Sequence, residues 1–301
     1  MQWITSYYLR MGEKTPASEA VNIRGFNMES MPMRGGQMGM GKMGEKEELM
    51  DVQYAVRSET GLKRSKNEDS YRIELCDGRN WGRDNSTLLM AVADGMGGHP
   101  CGEVASMMAC EALTGILDTI KGNSGKHLSD DLVQRFFDID DRIRLHTSKK
   151  TICLHMGTTL SVIVFLGEKA VIAHVGDTRI YCLRNDTLKL LTTDHTFVQE
   201  MFEKGVFTAE MVENSPHRNI LTEVVGTDEQ IEDVYTQVLD IFSGDRILLS
   251  SDGLHDTISF DEIAMIMKEG ETPETTAEQL FSQAILKGGK DDITIIVTHL
   301  S

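Results

Sequence analysis

The stretch TLSVIVFLGEKAVIAHVGDTRIYCL, residues 159–183, decides the fold class. It holds three short apolar, β-branched runs at 161–165, 170–174 and 179–183, with no more than five residues between neighbours. A parallel crossover needs a dozen or more residues, so consecutive strands here are expected to turn back as antiparallel hairpins. A doubly wound parallel sheet is excluded. Further β-rich runs lie on both sides: VQYAV, SYRIEL and TLLMAVA before it, RILLSS and ITIIVTHL after it. Helical stripes alternate with them. Residues 103–121 put Val104, Met107, Met108, Ala112, Leu113, Ile116 and Leu117 on one face, and residues 128–145 do the same with Leu132, Phe136, Phe137, Ile139 and Ile143. Two more helices are expected at 260–268, with Ser259 as N-cap, and at 273–287, with proline in the first turn and Gly288 beyond the end. Strands flanked by helix pairs predict an α+β domain in layers, over residues 51–301.

Residues 1–50 differ in texture. They carry nine of the 18 methionines and the run MPMRGGQMGMGKMGEKEE, with no sustained helix or strand period. The composition predicts a flexible tail. The net charge of −17 lies entirely beyond it, because residues 1–50 balance six basic against six acidic side chains and leave 24 basic and 41 acidic for the rest. An acidic body disfavours nucleic acid and anionic membranes, which both need clustered Lys and Arg. The five cysteines are odd in number, scattered and without metal-binding spacing, so reduced thiols are expected. No membrane-length apolar run and no basic-then-apolar leader is seen, which points to the cytoplasm.

Four distant apolar runs begin or end at an aspartate: LLMAVADGMGG at Asp94, VIAHVGDTR at Asp177, ILLSSDG at Asp252 and GGKDDITIIV at Asp291. Each alone reads as a turn residue. Together, with the acidic Glu68-Asp69 pair, they suggest one converging site. Two carboxylates about 4 Å apart repel by roughly 4 kcal/mol at an effective dielectric near 20. Such a cluster calls for hard divalent cations, Mg²⁺ or Mn²⁺. Arg64, five residues before Asp69, offers a planar fork suited to phosphate oxygens.

These motifs also carry a resemblance. GLKRSKNEDS, AVADGMGGHPCGEVAS, MGTTLSVIV, AHVGDTRIY, LTTDHT, HRNILTEVVG, LLSSDGLHD and GGKDDITIIV, in that order, resemble the metal-dependent type 2C serine/threonine protein phosphatases, the PPM family, most closely its bacterial branch. The resemblance implies a four-layer αββα sandwich of two antiparallel sheets flanked by helix pairs. It implies that Asp94 bridges two Mg²⁺ or Mn²⁺ ions, that the Gly95 carbonyl binds one of them, and that Asp252 and Asp291 complete the first. Glu68 and Asp69 would hold the second ion largely through water. Asp177 would serve a weaker third ion together with Asp252, and Arg64 would bind substrate phosphate.

Residues 194–226 resemble the family's mobile flap, with Val198, Met201 and Phe202 as a short apolar face and His217 and Arg218 within reach of a phosphopeptide. His174, His195 and His217 read as structural. Met96 stands where many eukaryotic members have a histidine, which leaves metal-bound water or His99 as general acid, and Asp292 stands where the family usually has asparagine. The implied partners are phosphorylated proteins, including a cognate serine/threonine kinase or its substrates, acted on by a monomer. A catalytically silent binding module and a hydrolase of another phosphate ester are the alternatives.

Overall fold

A computed structural model describes residues 18–26, 50–76, 87–96, 101–119, 125–148 and 153–301. In chain order the elements begin with β1 (Ser18–Phe26), β2 (Met50–Glu59), β3 (Asp69–Cys76) and β4 (Thr87–Asp94). Helices α1 (Gly102–Ala112), α2 (Ile116–Thr119) and α3 (Gly125–Thr147) follow, then β5 (Leu160–Leu166), β6 (Lys169–Val175), β7 (Arg179–Arg184) and β8 (Thr187–Leu190). After α4 (Phe197–Glu203) and α5 (Ala209–Glu213) come β9 (Tyr235–Asp240), β10 (Arg246–Ser250), α6 (Asp252–His255), α7 (Phe260–Glu269), α8 (Pro273–Leu286) and β11 (Ile293–Leu300).

The strands form two antiparallel sheets, one in the order β1-β2-β11-β10-β7-β8 and the other β3-β4-β5-β6-β9. Alternation along each strand divides its side chains between two cores. Leu88, Met90 and Val92 of β4 pack with Ile163, Phe165 and Ile172 against Val56, Ile180, Ile247, Leu249 and Ile296 of the other sheet. Leu89, Ala91 and Ala93 face outward under α1 and α3, where Leu113, Leu132, Phe136 and Ile139 cover them. On the far side α7 and α8 cover Tyr181, Leu248, Ile295 and Val297. Both faces of the central strands are therefore dry, which is why their sequences read as unbroken apolar runs. The layering is αββα, as the family resemblance implied.

Four expectations change. Strands β5 and β6 form the predicted hairpin, but β6 and β7 lie in different sheets. At Gly176, with φ 105°, the chain crosses the sandwich instead of turning back along the same sheet. The apolar period of a strand shows which faces are buried and is silent on which sheet receives it. Second, the stretch expected to lack regular structure contains β1, which pairs antiparallel with β2 from Ser18 opposite Arg57 to Phe26 opposite Met50. Pairing on β2 satisfies a sheet edge, a tertiary cause that the local sequence signal does not carry. The rest of 1–50, with its methionine run, lies outside the described residues.

Third, the helical stripe 103–121 is two helices, parted at Gly115 with φ 73°, whose N–H donates to the Glu74 carboxylate at 3.0 Å. Fourth, Cys101 and Cys153 are joined as a disulfide, and only Cys76, Cys110 and Cys182 among the described cysteines are free. Sequence spacing hid this pair, which the fold brings together across 52 residues.

Candidate metal centre

Strand register places the acidic residues at one end of the sandwich. Asp69 at the start of β3 is the direct partner of Asp94 at the end of β4. In the other sheet Ser250, at the end of β10, pairs with Ile295 of β11 on one side and Arg179 of β7 on the other. Asp252 follows the first, Asp291 lies just ahead of the second, and Asp177 just ahead of the third. Each sheet thus delivers carboxylates to a shared edge, and Asp177 sits at the point where the chain passes between them.

A cavity of about 1280 Å³ opens at this edge, lined by Arg64, Asp94, Asp177, Asp252, Asp291 and, on its far wall, residues of the 221–232 segment. Glu68 and Asp69 do not line it. Burial, then the charges of Asp69, Asp252, Asp177 and Asp291, hold the Asp94 carboxyl well above the usual carboxylate range. Asp252 is raised in the same way, by burial first and then by Asp177 and Asp291. Burial pushes Asp69 and Asp177 up to about 7. These are carboxylates crowded together without enough counter-charge.

The donor chemistry fits hard cations. All the converging ligands are oxygens, and Asp252 Oδ1 is sealed from solvent with no hydrogen-bond partner. A buried unpaired carboxylate oxygen is costly unless an ion or donor meets it. Among the described residues no three Asp, Glu, His or Cys side chains close around one point as a finished cage. An open, carboxylate-edged site of this kind suits cations that retain several waters.

Arg64 joins the cluster as expected, donating from Nη2 to Asp291 Oδ2 at 2.6 Å, with Nη1 3.6 Å from Glu68 Oε2. Its loop is held by a residue whose role the sequence left open. Asp292 accepts from the backbone N–H of Gly61 at 3.0 Å and of Glu68 at 2.8 Å, so its carboxylate is an anchor for the arginine loop. The Glu68 carbonyl then accepts from Gly95 N at 3.1 Å and Ser106 Oγ at 2.6 Å. Gly95 is obligatory there: a Cβ would lie 2.3 Å from Gly102 O and 2.7 Å from Glu68 O.

Sequence reading also missed three hydroxyls. Ser251 Oγ donates to Asp69 Oδ2 at 2.7 Å. Thr158 Oγ1 donates to the Asp94 carbonyl at 2.8 Å, and Asp94 N donates to Thr159 Oγ1 at 3.0 Å. The Thr158-Thr159 pair at the mouth of β5 was visible, but only as the start of a strand.

The segment 194–226 contains α4 and α5, both N-capped by threonine hydroxyls. Its root is fastened to the Asp177 turn: Arg179 forks onto Asp194 with bonds of 2.9 and 2.6 Å, and His195 N donates to Gly176 O at 2.7 Å. Val198 is buried whereas Phe202 is exposed. Arg218 and Asn219 both reach Asp256, at 3.2 and 2.9 Å. His174 is a core residue, bonded to Ser161 Oγ at 2.8 Å and the Thr193 carbonyl at 3.1 Å. His99 lies outside the described residues.

A two-sheet sandwich with carboxylates gathered at one end, an arginine beside them and helices outside presents the oxygen donors that a metal-dependent hydrolase uses. Comparison with known proteins gives the family. The protein phosphatase 2C model matches residues 64–283. The serine/threonine protein phosphatase PstP of Mycobacterium tuberculosis is 34% identical over 256 residues, covering 83% of this chain, which spans only 45% of PstP's length. The serine/threonine phosphatase stp of Listeria monocytogenes is 33% identical over 244 residues, 81% of this chain and 94% of stp. The solved catalytic domain of PstP, in complex with two manganese ions, is 32% identical and superposes with a TM-score of 0.69 over 83% of this chain and 99% of that one. The chain belongs to the protein phosphatase 2C family.

Proposed function

We propose that this chain hydrolyses phosphoserine and phosphothreonine in proteins, using two Mg²⁺ or Mn²⁺ ions held at the sandwich edge. The observation that carries the reading is the delivery of Asp94, Asp252 and Asp291 to one cavity with Arg64 bonded to Asp291. Asp94 is assigned as the bridging ligand, Gly95 as a carbonyl ligand, and Asp252 and Asp291 as the remaining ligands of the first ion. Glu68 and Asp69, which do not line the cavity, act on the second ion through water. Asp177 is assigned to a weaker third ion. When bound, a pair of such cations lowers the pKa of water from about 15.7 toward about 7, supplying hydroxide at neutral pH.

The protein's own share is positioning and charge. Arg64 meets the phosphoryl oxygens with a planar fork, and Asp292 fixes the loop that presents it. Thr158 and Thr159 fix the backbone of Asp94. No thiol nucleophile is available, since the free cysteines Cys76, Cys110 and Cys182 are buried and none lines the cavity. The reading takes the chain to act as a monomer. Phosphoproteins, including a serine/threonine kinase and its targets, are the fitting substrates.

The test is hydrolysis of a phosphothreonine peptide with Mn²⁺, with and without chelator. Turnover is expected only with metal. Asp94→Asn should lower it at least about 100-fold, the upper end of what removing even a ligand's outer partner costs. Arg64→Ala should raise KM about 10-fold or more, the worth of one charged hydrogen bond, and by more than it weakens Mn²⁺ binding. Metal-independent turnover would sink the reading.

A further inference from the structure

The Cys101–Cys153 disulfide joins the two segments that hold Asp94 in place. Cys101 is the N-cap of α1, at the far end of the connection that leaves β4 through Asp94, Gly95 and Met96. The Cys101 side chain makes no cap hydrogen bond, and Cys101 has φ 69°, an uncommon conformation for a residue with a Cβ. Its neighbour Gly102 lies against Gly95, with the Gly102 carbonyl filling the place of a Gly95 Cβ.

Cys153 opens the opposing segment. Three residues on, its carbonyl accepts from Met156 N at 3.4 Å, and then Gly157 O accepts from Met96 N at 3.0 Å. Thr158 Oγ1 and Thr159 N both donate to the Asp94 carbonyl, at 2.8 and 2.9 Å. His155 and Thr159 of this segment line the cavity. The bond therefore closes a ring of contacts around Asp94, the residue assigned above as bridging ligand.

We propose that Cys101–Cys153 is a thiol–disulfide exchange site, reduced by a dithiol, whose oxidised state holds Asp94 in its cation-binding position. The inference rests on the metal-dependent reading given above. Access favours one direction of attack, because Cys153 is 4% exposed while Cys101 is only partly buried. A thiolate of the dithiol attacks Cys101 Sγ, the bond to Cys153 Sγ breaks, and Cys153 leaves as a thiolate that takes up a proton. The second thiol of the dithiol then attacks its partner sulfur in the mixed disulfide and releases Cys101 as a thiol. The protein disulfide gains two electrons and two protons, and the dithiol becomes a disulfide. Glutathione disulfide reverses the sequence. With the tie open, hydrogen bonds and the Gly95–Gly102 contact are what remain to join the ends of the Asp94 segment.

The experiment uses the full chain, oxidised with glutathione disulfide or reduced with dithiothreitol that is removed under nitrogen. Alkylation and mass spectrometry are expected to count two more reactive thiols after reduction, at Cys101 and Cys153. Calorimetric Mn²⁺ titration should then give a Kd about tenfold higher for the reduced protein, about 1.4 kcal/mol. Cys101→Ser/Cys153→Ser should show that weaker value in both treatments, while Cys110→Ala should respond like wild type. Because wild type is switched reversibly, the comparison does not depend on the variants folding. Equal Mn²⁺ affinity in the two states, or free Cys101 and Cys153 thiols after oxidation, overturns the proposal. Absence of Mn²⁺ binding in both states instead removes the metal-centre reading, and the proposal with it.

Discussion

Asp252 begins the turn after β10 with one carboxylate oxygen buried and bonded to nothing. Without cations this group works against the fold, since burial and neighbouring aspartates oppose its charge. Asp252→Asn should therefore melt higher than wild type in chelator, by about 2–4 °C for each kcal/mol of relieved repulsion, yet lose metal-dependent turnover. A lower melting temperature in chelator would contradict the electrostatic account. His174 gives a prediction with pH. Burial holds it neutral, with its pKa pushed down to about 3, so as pH falls the unfolded chain takes up the proton first. Its stabilising share is complete above about 6.5 and declines by about 1.4 kcal/mol per pH unit from there toward pH 3. His174→Gln should be less stable at pH 7.5 but show a flatter decline in melting temperature between pH 6.5 and 4.5. The ligand candidates were legible because each ends or begins an apolar run. Asp292 and Ser251 were not, because the groups they hold lie 224 and 182 residues away in sequence.

Among the elements, the turn between β6 and β7 and the root of the 194–226 segment behave as one piece. Arg179 makes a two-pronged bond to Asp194, and His195 closes on Gly176 from both its N–H and its ring. Lysine keeps the charge of Arg179 but not the fork. Arg179→Lys is expected to raise KM for a phosphopeptide about 5- to 10-fold, the worth of about one hydrogen bond with the charge retained, with a smaller change for a small aryl phosphate that does not reach the segment. An equal change for both substrates would detach the segment from peptide recognition. Most strands and helices were readable from periodicity and caps, including Ser259 with its reciprocal bond to Glu262. The destination of β7 was not, since crossing between sheets depends on Gly176 and on what already occupies each edge. β1 was missed for the same reason: its pairing with β2 joins segments distant in the chain.

For the molecule as a whole, the sequence showed an acidic body with layered α+β texture, and the ordered motifs implied the αββα sandwich. Charge and layers were legible because they are sums over many residues. The cysteine pairing depends on a single approach between two loops, and composition alone pointed the wrong way. The division of ligands between the sheets has a mechanical consequence. Asp69 and Asp94 belong to one sheet, Asp252 and Asp291 to the ends of strands in the other, so cations held as proposed would add a crossbar between two plates that also meet through apolar packing and the Ser251–Asp69 hydrogen bond. Pulling between handles on β3 and β10 in a single-molecule experiment should require more force with Mn²⁺ than with chelator, and Asp94→Asn should erase the difference. A sandwich that parts at the same load in both conditions would mean that the cations sit on one plate only. If the crossbar holds, the ions proposed for the site are also the rivets of its frame.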